Sequence, residues 1–258
     1  MSYVELIDYA ENMGIQEGDT IFLSSDARKM MWDAVLNKRD QDLNKFIDGL
    51  IEAVGKDGTI IFPTYNWDFC SGKTFDYKST PCMTGVLGTL ALDRKEFRRT
   101  RHPIYSFAVY GKYQTDLVEM KNTDSFGPDS PFAFFREHNV KNYIIDVSLK
   151  HCLTFVHFVE EQSGVVKHRF VKDFTAGYID EDGAETRRTY SMFVRDLDLD
   201  VNTTIDPIEP DFINANVEKV IRINSSEIKE LHMGEAYDIL LKDIVQNRSR
   251  KLCTYKGQ

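Results

Sequence analysis

The chain has 258 residues, 42% hydrophobic and 28% charged, with a formal net charge of −9. This length suits one large domain with a substantial core, in an ordinary globular composition. The acidic balance argues against a general nucleic-acid or anionic-membrane binder and suits a cationic ligand, and no run approaches the ~18 apolar residues of a membrane span.

The opening MSYVELIDYAENMG places apolar residues at roughly helical spacing and is acidic, unlike a secretory or transit leader, so a cytoplasmic protein is expected. Next, EGDTIFLSSD reads as a turn and a short strand ending in Ser24 and Ser25. In DLNKFIDGLIEAVG, the spacing of Leu43, Phe46, Ile47, Leu50, Ile51 and Val54 predicts an amphipathic helix stopped by Gly55. KDGTIIFPTY is again a turn and a strand, so the helix–turn–strand unit occurs twice, which indicates α/β layering. MTGVLGTLALDRK reads as a helix, YSFAVYG as a strand, SPFAFFREH as a helix with Pro131 in its first turn, and NYIIDVS as a buried strand. LTFVHFVEEQSG is a helix stopped by Gly164. From about 165 to 195, two strand-like segments flank Asp182-Gly183, predicting an antiparallel β insertion. The tail returns to helix in EPDFINANVEKVI and EAYDILLKDIVQNRSR. The expected fold is a single α/β domain over residues 1–258 with a mixed sheet.

Polar residues collect at the ends of these strands. Ser24 and Ser25 fit an anion-binding turn or a simple helix cap. Thr64, Asn66, Trp67 and Asp68 follow the second strand. Arg98, Arg99, Arg101, His102 and Ser106 form the one concentrated basic patch, readable as an anion-binding loop or a solvated one. P-loop, GxGxxG, GxSxG and HExxH patterns are absent. Cys70, Cys82, Cys152 and Cys253 lack CxxC spacing and read as free thiols. His157 and Glu160 fall one helical turn apart, on one side of their helix. They fit a base with its orienting carboxylate or a plain ion pair; a zinc site with His151 lacks a second ligand at a recognised spacing, so no metal is expected.

Taken in order, these clusters resemble the aminoglycoside 3-N-acetyltransferase family, whose fold is distinct from the GNAT fold. The resemblance is carried by TP-x-M-x-G at Thr80–Gly85, HP-xx-S at His102–Ser106, FG-xx-SPF at Phe126–Phe132 and T-xx-H-xx-E at Thr154–Glu160, with EPDF and HMGEA beyond. It implies an α/β/α sandwich with a mixed central sheet, and acetyl-CoA as cosubstrate. It also implies N-acetylation of an aminoglycoside or other amino sugar, including a nucleotide-linked one. By the same resemblance His157 is the general base, Glu160 its companion and Asp211 a later carboxylate, with Glu209 the alternative. Ser24, Ser25, Thr64, Arg101, His102 and Ser106 would line the coenzyme channel, and Trp67, Asp68 and Glu209 would meet the acceptor. A homodimer fits this reading, with neither nucleic acid nor membrane as partner. Two departures stand out: Leu23 occupies the position of the family's histidine before Ser-Ser, and Asp146-Val147 replaces a glycine turn. A coenzyme-binding protein without turnover and an acyl-CoA thioesterase are the competing readings.

Overall fold

The computed structural model describes residues 3–255; residues 1–2 and 256–258 of the expected domain lie outside the described residues. In chain order the first strands are β1 (Thr20–Ser25), β2 (Thr59–Pro63), β3 (Phe75–Asp76), β4 (Arg98–Arg99), β5 (Phe107–Gly111) and β6 (Lys141–Ile145). They are followed by β7 (Arg169–Ile179), β8 (Glu185–Arg195), β9 (Val201–Thr203), β10 (Glu218–Ile223), β11 (Ser226–His232) and β12 (Cys253–Tyr255). The helices begin with α1 (Tyr9–Asn12), α2 (Arg28–Leu36), α3 (Leu43–Val54), α4 (Val86–Asp93) and α5 (Gln114–Val118). Then come α6 (Pro131–Glu137), α7 (Leu149–Cys152), α8 (Phe155–Ser163), α9 (Glu209–Asn214) and α10 (Met233–Gln246).

A mixed seven-stranded sheet runs in the order β10-β11-β6-β1-β2-β5-β4. Its centre is parallel, β6 and β2 flanking β1, while β5, β4, β11 and β10 add antiparallel edges. Side-chain alternation along the central strands sorts the two layers. Ile21, Leu23, Ile60, Phe62, Tyr143 and Ile145 enter one core, with Met30, Phe46 and Leu87 from α2, α3 and α4. Phe22, Ile61 and Ile144 enter the other, with Phe135, Phe155 and Leu240 from α6, α8 and α10. A one-residue slip of β1 would exchange these faces, so register and layering are set together. The result is the expected α/β/α arrangement.

Helix α3 starts where Asp42 accepts a 2.9 Å hydrogen bond from the Asn44 N–H and stops at Gly55, φ 62°. The insertion expected at 165–195 is the long hairpin β7–β8, to which β3 adds in parallel. One expectation fails: only Glu209–Asn214 of EPDFINANVEKVI is helical, and from Glu218 the chain forms the hairpin β10–β11. Asn216 takes a left-handed φ of 57°, ending the helix before Val217. No helix among the described residues is long and apolar enough to cross a membrane.

Candidate active site

The chain leaves β1 through α2 and α3, on one face of the sheet, and enters β6 from α6, on the other. Where connections diverge in this way, a crevice opens beyond the carboxyl ends of the parallel strands. A cleft of about 290 Å³ lies there, lined by Ser24 and Ser25 from β1, Tyr65 and Trp67 after β2, and Cys152 and Thr154 at the entry to α8. Its backbone frame depends on close approach. A Cβ at Gly88 would lie 2.5 Å from the Pro63 carbonyl oxygen, so glycine lets α4 rest against the end of β2. At the end of β6, Asp146 itself takes the left-handed conformation, φ 53°. Its carboxylate accepts from Lys29 Nζ at 2.8 Å and from the Glu227 N–H at 3.1 Å, holding the turn where the resemblance leads one to expect glycine.

His157 sits one turn into α8, its N–H donating to the carbonyl of cleft-lining Thr154 at 3.0 Å. Its Nδ1 lies 2.8 Å from Glu160 Oε2, and 19% of the imidazole side chain remains exposed. Phe126 meets the ring edge-on at 5.9 Å. Glu160 is buried, and two further side chains face it: Arg169 Nε is 3.0 Å from Oε2 and His168 Nε2 is 3.5 Å from Oε1. Neither contact is an aligned hydrogen bond. Burial pushes the Glu160 carboxyl up, but the hydrogen bond with His157, the close approach of His168 and the Arg169 charge hold it well below the usual carboxylate range. With an ionised acceptor at Oε2, the ring is fixed as the Nδ1–H tautomer and Nε2 keeps its lone pair. Burial first, and then the Arg169 charge, lower the imidazole pKa against the opposing pull of Glu160.

The other sequence candidates divide among several places. Ser24 and Ser25 line the cleft, Ser24 Oγ lying 3.3 Å from Asn142 Oδ1. Trp67 also lines it and is 39% exposed, while Asp68 next door pairs with Lys73 at 3.0 Å. Thr64 and Ser106 are buried, their hydroxyls 2.9 Å apart. Arg99, also buried, donates to Ser106 Oγ at 3.0 Å and to the Thr64 carbonyl at 3.2 Å. This network braces the turn after β2 from behind, and burial lowers the Arg99 pKa to about 10. The basic patch is therefore dispersed: Arg99 is internal, and Arg101 pairs with Glu181 in a separate depression. His102 is 3% exposed; its Nδ1 accepts from the N–H groups of Ile104 and Tyr105, at 3.3 and 3.2 Å.

The two late carboxylates also part. Glu209 pairs with Lys229 at 2.5 Å, and Lys229 lines a depression with Asp146 and Val147, the latter shared with the cleft. Asp211 instead pairs with Lys251 and lines a different depression beside α10, so it is not brought to His157. The other side chains that face Glu160 come from His168 and Arg169, in the segment whose sequence pattern predicts the start of a β insertion. Their positions in KHRF carried no sign that this strand end would close over α8. Cys152 lines the cleft, but burial pushes its thiol up to about 12, a poor nucleophile at neutral pH. Among the described residues, no group of three or more His, Cys, Asp or Glu side chains is arranged to hold a metal ion.

The family profile described as Aminoglycoside 3-N-acetyltransferase matches residues 33–243. A search of curated protein sequences finds no match. Among solved structures, AAC-IIIb in binary complex with CoASH is similar at TM-score 0.79 and 15% identity, covering 95% of this chain and 98% of that one. Sisomicin-bound AAC-VIa is similar at TM-score 0.76 and 18% identity, covering 95% and 99%. The YokD protein from Bacillus subtilis is similar at TM-score 0.75 and 19% identity, covering 94% and 98%. At such identities these structures establish a shared fold.

Proposed function

This chain belongs to the aminoglycoside 3-N-acetyltransferase family, a family of acyltransferases, and from that premise we propose that it transfers acetyl from acetyl-CoA to an amino group of an aminoglycoside or related amino sugar. The observation that carries this reading is the His157 imidazole, tied through Nδ1 to a buried carboxylate, on the helix whose entry residue Thr154 lines the cleft at the end of β1.

His157 Nε2 takes the proton from the acceptor nitrogen as that nitrogen attacks the thioester carbonyl. The C–N bond forms, the tetrahedral intermediate collapses, and coenzyme A leaves as the thiolate, to be protonated to the free thiol. Glu160 stabilises the imidazolium formed in passing, as the carboxylate of a hydrolase triad does. No acyl-enzyme is needed, which agrees with the raised pKa of Cys152. The thioester end of the coenzyme is assigned to the cleft beside Ser24, Ser25 and Thr154. Thr64 and Ser106 serve as its scaffold. Coenzyme A has the precedent of a relative crystallised with CoASH, and the acceptor class that of a relative bound to sisomicin. Asp211 has no part in this reading, since its charge is matched by Lys251.

The test is free-thiol release from acetyl-CoA with a panel of aminoglycosides and amino-nucleotide sugars, with His157→Ala run in parallel. Acceptor-dependent release that falls ~10²–10⁴-fold in the variant is expected. Release without any acceptor would instead make this a thioesterase. Coenzyme binding without release would make it a binding protein.

A further inference from the structure

We propose that Arg169 is a positioning residue that holds Glu160 ionised and offsets its pull on His157, so that the imidazole stays neutral and correctly oriented at working pH. This deepens the functional reading above and rests on it. Arg169 opens β7 with its side chain only 8% exposed. Its Nη1 donates to the Phe193 carbonyl on β8 and its Nη2 to Thr203 Oγ1 on β9, both at 3.3 Å. These two bonds fix the guanidinium independently of Glu160 and leave Nε facing Oε2 at 3.0 Å. The other titratable groups around the pair are His168 from the approach to β7, Tyr105, Arg195 on β8, and Cys253 and Tyr255 on β12.

The physical need is specific. A buried carboxylate with only a histidine for company either takes up a proton or draws one onto the ring. The first outcome loses the acceptor that fixes the tautomer, and the second occupies the base. A fixed cation at the same carboxylate oxygen that His157 engages, Oε2, prevents both. It stabilises the Glu160 charge and opposes an imidazolium a few ångströms away, the direction in which the His157 pKa is displaced.

The experiment is the pH profile of kcat/KM for wild type, Arg169→Lys and Arg169→Met. Methionine removes the charge at similar length, and the acid limb is expected to move up by about one pH unit, a roughly tenfold loss at pH values below the limb. Lysine, which keeps the charge, should leave the limb near wild type. Thr203→Val removes one guanidinium anchor without touching a charge and should shift the limb the same way by less, which covers the case that Arg169→Met does not fold. The His157 ring is titrated in parallel by NMR without substrates. If the wild type shows no thiol release, the functional reading fails and the NMR titration alone decides the role of Arg169. An acid limb and ring titration that stay at the wild-type pH in every folded variant overturn the proposal.

Discussion

Glu160 carries more of the site's stability than His157 does, because the two side chains stand in different electrostatic positions. The carboxylate is 2% exposed and is the common anion for His157, His168 and Arg169. Removing it leaves the Arg169 charge buried without its counter-ion, a loss that typically costs 3–5 kcal/mol, whereas an intact buried pair contributes little net. Glu160→Ala is therefore expected to lower the free energy of unfolding by about 3–5 kcal/mol in urea titration. His157→Ala leaves Glu160 with Arg169 and should cost far less stability while removing turnover. A Glu160→Ala variant as stable as His157→Ala would contradict this division of roles. At this scale the sequence supplied the His157–Glu160 spacing, since a helix fixes which residues three apart meet. It could not supply Arg169, whose approach depends on a hairpin folding over α8.

At the scale of elements, what was legible followed periodicity. Helix α3 and strands β1, β2 and β6 were readable because each has one pattern and a clear stop. The hairpin β10–β11 was not, because Val217, Val220 and Ile221 continue the apolar spacing of α9; only Asn216 marks the break. The basic segment around β4 is readable from sequence as an anion-binding loop or a solvated one, yet Arg99 and His102 fold inward. That burial has a thermodynamic consequence. Burial lowers the His102 pKa from 6.5 to about 3, so the folded ring stays neutral while the unfolded one takes up a proton. Stability conferred above the unfolded value is lost as pH falls from 6.5 toward the folded value. Between the ordinary histidine value and about pH 5 the loss from this one group is about 1–2 kcal/mol. His102→Asn keeps an oxygen to accept from the Ile104 and Tyr105 N–H groups but does not titrate. Its melting temperature should therefore fall less steeply than that of wild type over this range in calorimetric scans. Parallel slopes would mean that other groups govern acid lability.

For the molecule as a whole, charge can distinguish acceptors that the local geometry leaves alike. The chain carries 41 acidic against 32 basic residues, net −9, and several of its basic groups are already paired: Arg101 with Glu181, Lys229 with Glu209, Lys251 with Asp211. A field of that sign concentrates cations and repels anions, and salt screens it over a Debye length of about 8–10 Å at ordinary ionic strength. The two amino-sugar classes have opposite charges: aminoglycosides are polycations, and nucleotide-linked amino sugars carry a negative pyrophosphate. Raising salt from about 20 mM to about 300 mM should thus lower kcat/KM for an aminoglycoside several-fold, through slower encounter. For a nucleotide-linked acceptor it should leave kcat/KM level or raise it. Acetyl-CoA is itself an anion and provides the internal control, since its own kcat/KM should not fall with salt when measured at saturating acceptor. An aminoglycoside whose kcat/KM is insensitive to salt would mean that recognition depends on short-range contacts inside the cleft and that the acidic surface serves solubility alone. A steep fall confined to the cationic acceptor would tie the acidity of the chain to the substrate it has to attract.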